Sequence, residues 1–191
     1  MRTFEVEIKF RVENLTQLEH RLQQWGGIVF SRQVTEYDTF FQHPCRDFGQ
    51  TDECLRLRNR VFSDGTSEHF LTYKGPKIDI LTKTRQEVEI SVAETERWET
   101  LLIALGFCKS ASLYKFRRRQ KLTVNHRDIE FVLDTLPTLP ESSRFFLEME
   151  TLATEVEIEE CRALLLDIAD QLGLREPIQD SYLKLVQNFQ E

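Results

Sequence analysis

The sequence predicts an α+β protein built on an antiparallel sheet, with one charged face and with helices packed against the other face. Apolar and charged residues alternate repeatedly along the chain of 191 residues, and this period of two is typical of β-strands. Amphipathic stretches with helical spacing separate several of these segments and stop at glycine. No Gly-, Ser- or Pro-rich linker divides the chain, so residues 1–191 are expected to form a single domain.

The first predicted strand spans residues 4–12, where every even position is apolar and every odd position is charged. The same alternation predicts a shorter strand at 70–74 and five longer ones. The longer strands are 55–61, 85–92, 114–124, 129–134 and 145–149. If all of these share one sheet, it either stays open or curls into a tunnel with a charged interior, and alternation alone allows both.

Apolar residues three and four positions apart predict helices over 15–25, 98–105 and 158–172. Each of these stretches is followed by a glycine that can end a helix, namely Gly26, Gly106 and Gly173. A last short helix is predicted over 182–189. The stretches 31–54, 62–69 and 75–84 are predicted as loops or irregular edges.

The charge distribution separates the strands from the rest of the chain. The protein has 25 Lys and Arg against 32 Asp and Glu, a net charge of −7, which argues against long nucleic acid or a membrane surface as a partner. The polar positions of the predicted strands nevertheless hold 11 bases and nine acids, which leaves 14 bases and 23 acids elsewhere. The sheet therefore has a locally basic face on an acidic protein, which indicates an anionic ligand.

Several other function classes have no support in the sequence. The four cysteines form no C-x-x-C pair, and no apolar run approaches the ~20 residues that span a membrane, so reduced thiols and a cytoplasmic location are expected. The first residues carry charge where a secretion signal would be apolar. The glycine-rich fingerprints of dinucleotide and P-loop sites do not occur. The candidate chemistry is therefore that of carboxylates, lysines and arginines.

Charges of one sign are paired along the strands. Glu-x-Glu pairs at 5/7, 87/89 and 148/150 place two carboxylates on one side of a strand, about 6.5–7 Å apart. Such oxygens suit hard cations such as Mg²⁺ and Mn²⁺. Arg-x-Arg and Lys-x-Arg pairs offer donors to phosphate oxygens. Acids and bases on one face together predict a metal-bound polyanion of about the size of a triphosphate.

A set of short motifs follows in order from Glu5 to Tyr182. They are Glu5-x-Glu7-x-Lys9, Asp38-Thr39-Phe40-Phe41, Leu55-Arg56-Leu57-Arg58, Lys74-Gly75-Pro76, Arg85-Gln86-Glu87-Val88-Glu89, Leu105-Gly106-Phe107, Lys115-Phe116-Arg117, Leu133-Asp134, Leu147-Glu148-Met149-Glu150 and Ser181-Tyr182. The set resembles the CYTH family, which is named for class IV adenylate cyclase and thiamine triphosphatase and belongs to the triphosphate tunnel metalloenzymes. Chain length and the segment 105–117 are most similar to the class IV cyclase branch.

The resemblance implies one CYTH domain over 1–191, an eight-stranded antiparallel β-barrel or tunnel with a charged interior and helices outside. It implies an enzyme that uses Mg²⁺ or Mn²⁺ on a small-molecule triphosphate, as a homodimer, with Lys9, Glu5 and Glu7 in catalytic roles. The metal ligands that it implies are Glu5, Glu7, Glu87, Glu89, Asp134, Glu148 and Glu150. The phosphate contacts that it implies are Lys9, Arg56, Arg58, Lys74, Arg85, Lys115 and Arg117.

Three functions remain open at this stage. A hydrolase would direct water at the terminal phosphorus of an inorganic or organic triphosphate, such as tripolyphosphate, thiamine triphosphate or a nucleotide. A cyclase would direct the ribose hydroxyl of ATP at the α-phosphorus and release pyrophosphate. A sensor would bind a triphosphate without turnover. Many family members carry tyrosine in the Asp38–Phe41 motif, where this chain has Phe40 and Phe41, so a mechanism that uses a phenol there is not expected.

The remaining charged residues of the predicted strands are expected to have structural roles. Arg118 lies in the apolar phase of its strand and is expected on the outside. Six further charged residues are expected at strand ends in structural roles. They are Arg11, Arg60, Arg119, Lys121, Asp128 and Glu130.

Overall fold

The computed structural model describes residues 3–79 and 82–190, and within these residues the framework is eight strands. They are β1 (Phe4–Arg11), β2 (Val34–Gln42), β3 (Cys54–Val61), β4 (Ser67–Lys74), β5 (Arg85–Val92), β6 (Cys108–Val124), β7 (Arg127–Thr135) and β8 (Phe145–Ala153). All neighbours are antiparallel, and the barrel closes in the order β1-β5-β4-β3-β2-β6-β7-β8. The predicted eight-stranded antiparallel barrel is confirmed, and the open sheet is excluded.

The helices of the described residues are α1 (Leu15–Gly26), α2 (Phe48–Thr51), α3 (Thr95–Ala104), α4 (Ile158–Gln171) and α5 (Tyr182–Gln190). Helix α1 includes Gly26, which was predicted to stop it, and ends instead at Gly27, whose φ of 65° lies in the left-handed region that favours glycine. None of the helices in the described residues is long and apolar enough to cross a membrane. All four cysteines are free, as the sequence predicts.

The main hydrophobic core lies between the barrel and the helices. The even residues of β1, such as Ile8 and Phe10, are buried in one cluster with Leu18 and Leu22 of α1 and Leu165 of α4. Each large side chain buried in this way contributes about 1.5–3 kcal/mol. Because side chains alternate along a strand, the odd residues of β1 point to the other side, into the barrel.

Segment 31–54 was predicted to be a loop or irregular edge, and this prediction is wrong, because the segment contains β2 and α2. Alternation is hard to recognise in β2 because Glu36 and Asp38 face the charged interior and the opposite face includes the polar Thr39. A register shift between Phe40 and Phe41 then interrupts the period. Two further strands start earlier than predicted, β4 at Ser67 and β6 at Cys108.

The segment after β8 packs beside one end of the barrel. The backbone N–H of Ile178 donates to the carbonyl oxygen of Lys9 at 2.7 Å. Tyr182 and Val186 of α5 then pack in a second cluster with Leu113 and Phe146. These contacts place α5 at the mouth of the barrel that lies at the ends of β1 and β2 and the starts of β3 and β6.

Candidate metal and triphosphate site

A cavity of about 780 Å³, here called the tunnel cavity, opens at the mouth beside α5 and runs into the barrel. Thirteen of the predicted site residues line it. They are Glu5, Glu7, Lys9, Arg56, Arg58, Lys74, Arg85, Glu87, Glu89, Lys115, Arg117, Glu148 and Glu150. Asp134 does not line the cavity and lies fully buried behind Lys115 and Arg117. The strand alternation therefore brings the predicted acids and bases to one interior surface.

Strand register builds an acidic cluster in this cavity. Glu7 of β1 lies directly opposite Glu150 of β8, and Glu5 is two residues away on the same side of β1. One ligand oxygen from each of the three lies within 4.8 Å of the others. This is an all-oxygen donor set of the kind that Mg²⁺ and Mn²⁺ prefer. The three residues are called the acidic cluster below.

Two carboxyl groups of the acidic cluster, those of Glu5 and Glu150, have raised pKa values, as expected for buried acids whose charge is not fully compensated. Burial raises the pKa of Glu5, although Lys74 attracts it. Burial, the charge of Glu5 and a hydrogen bond with Glu130 raise the pKa of Glu150 well above its ordinary value. A divalent cation among these oxygens would remove the repulsion, so the residues present fit the metal that the family resemblance implies.

We predict a pH dependence from these shifts. The folded cluster holds protons that the unfolded chain releases, so the metal-free protein should lose stability as pH rises above the ordinary carboxyl range. Metal binding requires deprotonated carboxylates, so the affinity for Mn²⁺ should rise as pH rises over the same range. Binding should also release protons. Calorimetric titration of Mn²⁺ in two buffers of different ionisation enthalpy measures this release. Equal heats in both buffers, from pH 5.5 to 8, would contradict the prediction.

The other predicted metal ligands contact bases in this structure. Glu87 lies 2.5 Å from the Nζ of Lys74, which also donates to Glu5 at 3.0 Å, so Glu87 borders the acidic cluster. Glu89 lies 3.7 Å from Arg56 and also accepts from Thr72 Oγ1 at 2.9 Å. Glu148 lies opposite Lys9 in the register and is 3.1 Å from its Nζ. Asp134 lies opposite Arg117 in the register and pairs with it and with Lys115.

The bases form a row along the cavity wall. Arg58 donates through two nitrogens to the Asp38 carboxylate, both at 2.7 Å, and Asp38 and Glu36 raise the pKa of Arg58 despite its burial. Burial and the neighbouring Arg117 lower the pKa of Lys115 to about 8. Arg85 is buried, makes no ion pair with any described residue, and has an Nε without a hydrogen-bond partner. An unpaired buried guanidinium is costly, so this position favours an anionic ligand.

Glu36 is a central residue that the sequence analysis missed, because it lies in the segment predicted as a loop. Its carboxylate is fully buried among five bases of β3 and β6. They are Arg58 and Arg60, both at 2.9 Å, Arg119 at 3.2 Å, and Lys115 and Arg117, both at 3.6 Å. Burial opposes its charge, but Arg58, Arg117 and Lys115 hold its pKa well below the ordinary value. Glu36 and Asp38 are two residues apart, a spacing that places both carboxylates on one side of a strand. This spacing could have identified both residues from the sequence.

Glu36→Gln should be strongly destabilising, because it leaves several buried bases without their shared partner. We expect a loss of about 3–5 kcal/mol in the free energy of unfolding. The matched control is Glu68→Gln, since Glu68 is half exposed and pairs with Arg60 at 3.1 Å, and surface pairs contribute about 1 kcal/mol or less. Urea unfolding of both variants measures the difference. Equally small losses of unfolding free energy in the two variants would show that the buried bases do not need Glu36 for stability.

Two further residues join the site without having been predicted there. Lys83 lies in segment 75–84, which was predicted as a loop and whose residues 80 and 81 are outside the described residues. Its buried Nζ lies 3.1 Å from Glu7, and burial lowers its pKa to about 7. The ring of Tyr182 faces Lys9, with the Nζ 3.6 Å from its centroid. The sequence pattern alone did not indicate that either segment folds back over the cavity.

The aromatic residues of β2 agree with the sequence analysis. Phe40 lines the tunnel cavity, so this position of the Asp38–Phe41 motif places no phenol there. Tyr37 does not compensate, because it lies outside the barrel, half exposed and stacked on Tyr114. Arg118 also lies outside, as expected, and pairs with Glu19 at 2.7 Å. Of Tyr37 and Tyr182, only Tyr182 places its ring beside Lys9.

Comparison with known proteins gives the family. The model of the CYTH domain matches residues 3–182. A protein of Methanocaldococcus jannaschii, provisionally named an adenylate cyclase, is 32% identical over 184 residues, covering 95% of this chain and 97% of that protein. The structure of the PH1819 protein from Pyrococcus horikoshii is 36% identical, with a TM-score of 0.82, and covers 97% of this chain and 99% of that one.

A more distant structure shares the fold. A protein of Hippeastrum, provisionally named an adenylyl cyclase and described as having a dominant triphosphatase activity, is 16% identical with a TM-score of 0.62. The match covers 97% of this chain and 96% of that protein. The family model covers most of the chain and two of these proteins exceed 30% identity over nearly all of it. The chain belongs to the CYTH family, whose members are metal-dependent and bind triphosphates.

Proposed function

We propose that this protein hydrolyses the terminal phosphoanhydride bond of a small inorganic or organic triphosphate, with Mg²⁺ or Mn²⁺ as cofactor. The observation that carries the proposal is the side-by-side placement of opposite charges in one cavity. Glu7 and Glu150 face each other in the same strand pair as Lys9 and Glu148, two residues further along. The acidic cluster would hold a cation, which would neutralise charge on a triphosphate, and the adjacent bases would donate to the phosphate oxygens.

The buried carboxylates would hold the bases in position before a substrate binds. Asp38 fixes Arg58 and lies 3.7 Å from Arg56, while Glu148 fixes Lys9 and Arg117. A bound cation would supply neutralisation of charge on the phosphoryl oxygens. Lys9, Arg56, Arg58, Lys74, Arg85, Lys115 and Arg117 would donate to those oxygens. Donors that are already oriented avoid the cost of reorganisation when charge develops.

A cyclase is the second candidate, and two observations favour it. The relative from Methanocaldococcus jannaschii is provisionally named an adenylate cyclase. The tunnel cavity, at about 780 Å³, also has apolar wall at Phe40, Phe48 and Leu113, where a base could lie. The Hippeastrum protein shows that the same fold accommodates triphosphatase activity. A sensor that binds without turnover is the third candidate.

Phosphorus NMR of the reaction products distinguishes these functions. The pure protein would be incubated with Mg²⁺ or Mn²⁺ and either ATP or tripolyphosphate. We expect orthophosphate released from the terminal position, and the two rates compared would show whether the organic part matters. Pyrophosphate together with cyclic AMP would instead establish a cyclase. If the protein binds a triphosphate but turns it over with neither metal, the sensor is the function that remains.

A further inference from the structure

A second pocket, here called the rear pocket, lies at the opposite end of the barrel from α5. It has a volume of about 330 Å³ and lies between the segment that leads into β2 and the turn that follows β3. Arg32 and Ser63 stand on these two segments, and Arg60, Arg117 and Arg119 reach the pocket from β3 and β6. The proposed reaction uses Arg117 from the tunnel cavity but assigns no role to the rear pocket itself.

The lining of the rear pocket is strongly basic. Four guanidinium groups border it, against one carboxylate, that of Asp64. Asp64 is already engaged, since its Oδ1 accepts from the N–H and the hydroxyl of Thr66 at 2.9 and 2.6 Å. Arg32 makes no ion pair with any residue in the described part of the chain. Arg60, Arg117 and Arg119 share the buried Glu36 behind the lining, so Arg32 is the guanidinium of this lining whose charge is not compensated by a described residue.

Arg119 is incompletely satisfied at the base of the rear pocket. Its contacts with Glu36 and Glu130 are long, at 3.2 and 3.4 Å. Its Nε is buried without a hydrogen-bond partner. Burial and repulsion from Arg117 lower the pKa of Arg119, which agrees with an excess of positive charge there. Arg119 was expected to have only a structural role at a strand end. In the structure, its Nε–H is available to donate to a ligand.

We propose that the rear pocket binds a small phosphate-class oxyanion, either orthophosphate or pyrophosphate, without a metal. Guanidinium forks and the hydroxyl groups of Ser31 and Ser63 match phosphate oxygens. The acidic cluster lies in the other cavity, so nothing in this lining provides a comparable set of metal ligands. Arg117 and Arg119, both on β6, border both cavities, and the buried Glu36 of β2 lies 3.6 and 3.2 Å from them. The rear pocket therefore adjoins the tunnel cavity, and its other lining residues belong to the rear pocket alone.

Amide NMR titration of the intact protein tests this site. Orthophosphate and pyrophosphate would be added separately with EDTA present, against sodium chloride at the same ionic strength. We expect saturable shifts at the amides of residues 31–34 and 62–64, and the anion that saturates them at lower concentration is the ligand. Arg32→Glu should weaken this binding at least tenfold. The control is Arg97→Glu, an exposed arginine of α3 that pairs only with Glu94 nearby.

Two outcomes would overturn the proposal. One is the absence of saturable shifts at these amides beyond those in sodium chloride. The other is an equal loss of affinity in Arg32→Glu and Arg97→Glu, which would indicate attraction to net charge only. Because Arg32 is exposed, both variants should fold, and Arg32→Ala is a second variant at the same position. Arg56→Glu removes a base of the tunnel cavity alone and should leave the rear-pocket shifts unchanged, so the test does not depend on the proposed reaction.

Discussion

Replacing Lys9 with methionine should lower kcat/KM for a triphosphate by at least about 100-fold, which is the typical cost of losing one preorganised charged donor. The Nζ of Lys9 lies inside the tunnel cavity, 3.1 Å from Glu148 and over the ring of Tyr182. Methionine keeps most of the apolar stem and its packing against that ring. Glu148 keeps Arg117 as a partner at 2.7 Å, so the change does not strand a buried charge.

The matched control for this variant is Lys121→Met. Lys121 lies on β6, is exposed, and does not line either cavity. It should retain wild-type activity, and both variants should unfold within a few degrees of the wild type. Steady-state kinetics with tripolyphosphate and thermal unfolding supply the two readouts. A folded Lys9→Met protein with wild-type kcat/KM would refute the assignment of Lys9 to the substrate.

Glu150→Gln should weaken Mn²⁺ binding by about 100-fold or more, since removing even a residue that only orients a ligand costs about 10–100-fold. Glu150 belongs to the acidic cluster and makes no ion pair with a base among the described residues. The variant therefore removes a metal ligand without breaking an ion pair. In the metal-free protein its stability at neutral pH should equal or exceed that of the wild type, because a buried carboxylate with a raised pKa destabilises the folded state there.

Glu68→Gln is the control, because Glu68 is half exposed, lines neither cavity and lies outside the acidic cluster. Its Mn²⁺ affinity should stay within a few-fold of the wild type. Calorimetric titration and thermal unfolding of both variants, each with and without Mn²⁺, give the comparison. Equal metal affinity in Glu150→Gln and the wild type would remove the acidic cluster from the metal site.

Strands with strict alternation could be predicted from sequence, whereas β2 could not. In β1 the even residues are all apolar, so the period of two is unmistakable. In β2, Thr39 faces outward, Phe40 faces the cavity, and a register shift follows, so neither face is uniform. The interior is where the ordinary rule of an apolar barrel core fails, because its side chains are charged and form buried ion pairs.

Thirteen of the residues that line the tunnel cavity could be selected from the sequence, but the way in which they pair could not. Alternation placed Glu7 and Lys9 inside, yet only the register of β1 against β8 shows that they face Glu150 and Glu148. The same register argument applies to Glu36, which lies opposite Arg60 in β3. Lys83 depends on the path of a segment without regular structure, and no local pattern in the sequence encodes that path.

The most direct test of the central claim is a crystal structure with Mn²⁺ and a non-hydrolysable triphosphate, with the metal located by its anomalous scattering. We expect an anomalous peak coordinated by oxygens of Glu5, Glu7 and Glu150. We also expect phosphate oxygens within hydrogen-bond distance of Lys9, Arg58 and Arg85. A peak bound elsewhere, or a triphosphate outside the tunnel cavity, would contradict the assignment of this site.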